Sequence, residues 1–153
     1  MPMPLEYQHT TEDFERFLAD ARETSGLATR NQVYTMVQAV LLTFRRRLSL
    51  ADALRFAGVL PPVVRAIFVA DWDPDAPRAP FGDRADWTRE AQALRRHHNF
   101  APDTCIADTA RALRRHVDAA AFAAVLDRLP TEARDFWSVD QAGGSLASSS
   151  GSA

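Results

Sequence analysis

Apolar residues recur along this chain at three- and four-residue spacings, the period of a helix with one buried face. Phe14, Phe17, Leu18 and Ala21 follow a capping-box-like Thr10-Thr-Glu-Asp13 and run to a stop at Gly26, which predicts a first helix. Thr29-Arg-Asn-Gln32 is a second capping box. Behind it, Val33, Val37, Val40, Leu41, Phe44 and Leu48 form the stripe of a helix of roughly 19 residues. Ser49 then caps a short helix carrying Leu50, Ala53, Leu54 and Ala57, which Gly58 ends. Pro61 opens a fourth helix, with Val63, Val64, Ile67 and Phe68 inward. The polar face of the first helix, with Glu12, Glu15, Arg16, Asp20 and Glu23, reads as solvated, with Glu12 and Arg16 placed to pair at i,i+4.

The pattern then repeats. Leu60 to Phe68, LPPVVRAIF, returns 69 residues later as LPTEARDFW, from Leu129 to Trp137. Trp87, Ala91 and Leu94 mark the second copy's first helix, and Phe100 stands where Leu27 stood. Ile106, Ala110, Leu113 and Val117 match Val37, Leu41, Phe44 and Leu48, Asp118 replaces Ser49 as a cap, and Phe122, Val125 and Leu126 fill the short helix. The first helices align at an offset of 73 residues and the later ones at 69, so four residues, about one helical turn, are missing from the second copy. The fold expected is all-α: about eight helices in two pseudo-symmetric four-helix halves, residues 10–70 and 84–139, forming one helical domain over 1–139.

Between the halves, Pro74, Pro77 and Pro80 forbid a continuing helix. Residues 71–83 carry a net charge of −3, against +1 for residues 1–70 and +1 for residues 84–139, so the acidity belongs to this linker, expected to be an extended strap held by Trp72 and Phe81. The Gly- and Ser-rich residues 140–153 have nothing to bury and read as a disordered tail.

Composition narrows little beyond this. With 46% apolar residues, 25% charged ones and a net charge of −2, the chain resembles an ordinary globular protein, and the charge argues against nucleic acid as a partner. All 18 basic residues are Arg, which reads as coding bias rather than a site. One cysteine, no signal-peptide pattern and no apolar run of about 20 residues suggest a cytoplasmic protein without a membrane span.

The run FRRRLSLADALRFAGVLPPVVRAIFVADWDP, with the later LPTEARDFW, resembles the bacterial family called domain of unknown function 2267. The features that carry it are Arg45 and Arg47 before Leu48, the Leu60–Pro61 pair, Arg65, and Trp72 followed by Pro74. The resemblance implies a small all-helical protein and supplies no catalytic residue.

Partial matches to familiar chemistries each lack a required residue or spacing. Asp71, Asp73 and Asp75 have the first spacings of a calcium loop, but Ala76 and Gly82 stand where it needs Gly and Glu. Cys105 and His116 share a helix face about 16 Å apart, too far to act together. His97 and His98 lack further ligands at zinc spacing. No catalytic residue, metal or cofactor is therefore assigned.

Four arginines remain as binding candidates. Arg45–Arg47 align with Arg114–His116, which turns Arg46 and Arg115 outward. Arg65 and Arg134 flank the buried stripes of the Leu-Pro helices, where a partly buried Arg is expected to bond a neighbouring helix's carbonyls or an acid. The function expected is a non-catalytic module that binds a protein partner or itself. The alternative is an enzyme or small-ligand binder with a pocket between the halves lined by Arg65 and Arg134.

Overall fold

Four helices among the described residues start on a side chain that caps their free amides, and five start without one. The computed structural model describes residues 1–139, and among these the regular structure is nine helices and no strand. They are α1 (Leu5–Gln8), α2 (Thr10–Ser25), α3 (Arg30–Arg45), α4 (Leu50–Ala57), α5 (Pro62–Val69), α6 (Arg84–Ala93), α7 (Cys105–Arg114), α8 (Ala119–Arg128) and α9 (Glu132–Phe136). The residues expected to form a tail, 140–153, lie outside the described residues.

The Thr29 box forms, with Gln32 N–H donating to Thr29 Oγ1 at 3.2 Å and Thr29 N–H to Gln32 Oε1 at 3.2 Å. Ser49 Oγ accepts from Asp52 N at 3.1 Å and Asp118 Oδ1 from Ala121 N at 2.9 Å. The Thr10 box does not form. Chain entering from α1 already places His9 before the helix, and Asp13 spends its carboxylate on Arg16. Gly26 ends α2 at φ 72°, the left-handed turn glycine accepts without strain. A cap unread in the sequence starts α6: Asp86 N donates to Asp83 Oδ1 at 2.9 Å and Asp83 N to Asp86 Oδ2 at 3.0 Å. That backbone bond holds the Asp86 carboxyl below its ordinary range.

One hydrophobic cluster draws residues from α2 to α9. Its centre is aromatic. Phe44 lies 4.7 Å from Phe56, 4.8 Å from Phe136 and 5.3 Å from Trp137, measured between ring centres. Such pairs add about 0.5–1.5 kcal/mol each beyond simple burial. The helices also exchange partners. The first helix of residues 10–70, α2, packs on α7, while α6, the first helix after the linker, packs on α3, and α4 meets α8. Since α2 also packs on α3 and α5 of its own stretch, the two stretches share one interlocked core.

Two expectations need correction. Phe100 is 61% exposed, and Ala101 is buried instead. Asn99 turns the chain there, donating to Ala91 O and Leu94 O at 2.7 Å each and accepting from Ala101 N at 2.9 Å. The second helix of the first stretch is 16 residues rather than roughly 19, because after Arg45 the chain tightens, with Arg47 N bonded to Phe44 O at 3.0 Å.

The strap between α5 and α6 lies on the surface of the core. Ala79 N donates to Arg46 O at 2.9 Å, and Trp72 and Phe81 pack partly buried against the cluster. Among the described residues no helix is long and apolar enough to cross a membrane.

Candidate functional site

The Arg45–Arg47 trio closes α3, and a helical step of about 100° sends its members in different directions. Arg45 and Arg47 are 9% and 7% exposed. Arg45 Nη1 donates to Phe68 O at 2.8 Å and Ala70 O at 3.0 Å, tying the end of α5 to α3, and the Trp72 ring lies 5.4 Å from its guanidinium. Burial lowers the Arg45 pKa, partly offset by the charge of Asp71. Arg47 donates to Thr43 O at 2.8 Å, Phe81 O at 2.7 Å and Glu90 Oε2 at 2.6 Å. Arg46 does turn outward, but it grasps the other oxygen of Glu90 on α6.

At the end of α7 the arrangement is similar. Arg114 Nε donates to Trp137 O at 2.8 Å, the bond that corresponds at the 69-residue offset to Arg45 on Phe68 O. Arg115 lies 3.5 Å from Asp20 Oδ1, and His116 Nε2 is 2.6 Å from Asp20 Oδ2. Both outward arginines therefore reach across to an acid on the other stretch's first helix. Asp20, read as part of a solvated face, instead joins α2 to the end of α7. On that same face Arg16 pairs with Asp13, and Glu15 with Arg30, in place of the expected Glu12–Arg16 pair. Neither acid partner was legible, because Glu90 and Asp20 are distant in sequence from the arginines they meet.

Arg65 Nε donates to Ala57 O at 3.0 Å and its Nη2 to Leu60 O at 2.9 Å, pinning the turn between α4 and α5. Its outer contacts are long: 3.4 Å to the Tyr7 hydroxyl and 3.9 Å to Glu6. Arg134 does not share this role. Its side chain is 61% exposed and pairs with Asp127 on α8.

The four candidates fall in three surface clefts. Arg65 and Arg115 line one of about 700 Å³, bounded by α1, the start of α2, the α4–α5 turn and the α7–α8 turn, with Arg16 and His116 beside them. Arg46 lines a second of about 390 Å³ under the strap, and Arg134 a third of about 300 Å³ with Arg114. Among the described residues, Arg65 and Arg134 thus line different clefts.

Cys105 is fully buried, and burial, with the nearby Asp108 charge, pushes its thiol up to about 12, so at neutral pH it is no thiolate nucleophile. Asp73 Oδ1 accepts from Asp75 N at 3.0 Å in a local turn, and Asp71 is left-handed at φ 52°. Among the described residues, no group of three His, Cys, Asp or Glu is arranged to hold a metal. Asp108, which sequence reasoning passed over, is 4% exposed and accepts from Thr104 Oγ1 at 2.6 Å, and burial raises its pKa.

No curated protein matches this chain. The family whose pattern it matches, over residues 14–136, is described as Uncharacterized conserved protein (DUF2267). That span contains the Arg45, Arg47, Leu60–Pro61, Arg65 and Trp72 features just placed on the fold, and the chain belongs to the DUF2267 family.

Proposed function

We propose that this chain is a cytoplasmic, non-catalytic helical module that binds a protein partner, or a second copy of itself, through the charged face around Arg65 and Arg115. The observation that supports this reading is where the arginines Arg45, Arg47 and Arg65 direct their hydrogen bonds. Between them they hold the carbonyls of Thr43, Ala57, Leu60, Phe68, Ala70 and Phe81. Groups spent on backbone are positioned to keep a fold, not to move protons or polarise a substrate. The face itself is adaptable. Arg65 and Arg115 meet their own chain's acids only at 3.9 and 3.5 Å, so a partner's carboxylates would replace weak contacts rather than strong ones.

The test is affinity capture from the native host, with sedimentation of the pure protein to read self-association, comparing wild type with Arg115→Ala and Arg46→Ala. Arg115→Ala should lose the captured partner or the self-association while its unfolding midpoint stays within a few degrees of wild type, and added salt should weaken the wild-type complex. Arg46→Ala, on another face, should bind normally. Equal capture by all three proteins across the salt range would remove the Arg115 face from consideration.

A further inference from the structure

The cleft under the strap contains a buried cation that its surroundings only partly satisfy. Arg45 lines it at 9% exposure; its Nη1 is bonded to two carbonyls, while its buried Nε has no hydrogen-bond partner. Asp71 also lines the cleft, yet among the described residues no ion pair within 4.0 Å joins it to Arg45. A buried guanidinium held this way is costly unless something else meets it.

Other features converge on the same space. α4 begins here. Ser49 Oγ takes Asp52 N–H and Ser49 O takes Ala53 N–H, which leaves the amides of Leu50 and Ala51 without an intrahelical acceptor at the mouth of the helix, Leu50 lining the cleft. Arg78 lines the cleft as a further cation. Trp72, whose ring lies against the Arg45 guanidinium, and Leu50, 50% exposed, supply apolar surface. Asp71 sits in the left-handed region at φ 52°, the kind of strain that persists where surrounding structure imposes it. The space is about 390 Å³, in the range of small-molecule sites. The opposing charges are Asp71 and Asp73, of which Asp73 already accepts from Asp75 N–H.

We propose that this cleft binds a small organic oxyanion, a carboxylate or phosphate monoester, with its charged end toward Arg45 and the start of α4 and its apolar body against Trp72 and Leu50. Asp71 is the acid with which the ligand competes. The site is separate from the Arg65–Arg115 face and does not depend on the function proposed for it.

Trp72 provides the readout, since Trp87 and Trp137 are 2% and 0% exposed. The full chain would be titrated with phenyl phosphate, benzoate and inorganic phosphate while indole fluorescence is followed. At least one of the two organic anions should give a saturable change that Trp72→Phe abolishes; the two arms tell phosphate from carboxylate as the preferred head. Arg78→Gln should weaken binding about threefold or more and Asp71→Asn strengthen it by a similar factor, as expected for charges within a few ångströms of the anion. Inorganic phosphate should bind about tenfold more weakly than the better organic anion, for want of an apolar body. The proposal is overturned by no saturable change below about 10 mM, a range that would correspond to binding weaker than about −3 kcal/mol. It is equally overturned by affinities that ignore both substitutions, by a fluorescence change that survives Trp72→Phe, or by inorganic phosphate binding as well as the organic anions.

Discussion

Adjacent arginines on one helix turn have opposite physical roles here, and substitution should expose the difference. Arg47→Ala removes the arginine donor from the Thr43 carbonyl and one Glu90 oxygen and leaves the Phe81 carbonyl with Trp87 Nε1 alone, which should destabilise the fold by about 2–4 kcal/mol. Arg46→Ala removes only a half-exposed ion pair and should cost less than about 1 kcal/mol, both values read by urea unfolding. Asp108 gives a pH-dependent contrast. Because burial raises its pKa in the folded protein above the ordinary 3.8, the folded state holds its proton more tightly than the unfolded chain. Its contribution is therefore favourable below the unfolded value and is lost as pH rises through the folded one. Asp108→Asn, which removes the charge, should make the protein more stable than wild type at pH 7, an advantage that fades as pH falls through the folded value and is gone below the ordinary 3.8. Thermal melts across that range would check it; a variant less stable at pH 7 would mean that the Thr104 bond outweighs the buried charge.

For the elements, caps that form and a cap that only looks possible give a direct comparison. Thr29→Ala, Ser49→Ala and Asp118→Ala each remove a side-chain acceptor from a helix start and should cost about 1 kcal/mol apiece. Thr10→Ala should be silent within about 0.5 kcal/mol, because Thr10 already lies inside α2 and caps nothing. Equal losses at Thr10 and Thr29 in chemical denaturation would contradict the assigned start of α2. Gly82 belongs to the same argument. It holds φ 67°, and a Cβ there would lie 2.6 Å from Asp86 Oδ2, inside the cap of α6. The glycine in an acidic linker is thus a requirement of the helix that follows it.

In the whole molecule, the exchange of helices makes the two stretches depend on one another. α2, which buries Phe17, Leu18 and Ala21, packs on α7 as well as on α3, and α6, which buries Trp87 and Ala91, packs chiefly on α3. Separately made fragments of residues 1–75 and 76–153 should therefore show little helix by circular dichroism alone and regain it when mixed in equal amounts, whereas the intact chain should unfold in one transition. A cooperative melt from either fragment by itself would show that its core is self-sufficient.

Much of this fold was legible in local patterns because local forces decide it. The 3.6-residue period marked eight of the nine helices, hydroxyl and carboxyl caps marked the starts of α3, α4 and α8, and three prolines marked the strap. The Leu60–Pro61 turn and the need of Arg65 for carbonyl partners also followed, since proline geometry and the cost of a buried cation are properties of single residues. α1 escaped notice because it buries nothing and so leaves no periodic signal. Which helix packs on which, and hence that Arg46 meets Glu90, Arg115 meets Asp20, and Arg65 and Arg134 stand apart, depends on contacts between residues far separated in the chain. A recurring pattern of buried faces reads the same whether a helix covers its own stretch or the other. Only the shapes of the assembled side chains, above all the aromatic cluster around Phe44, select between the two.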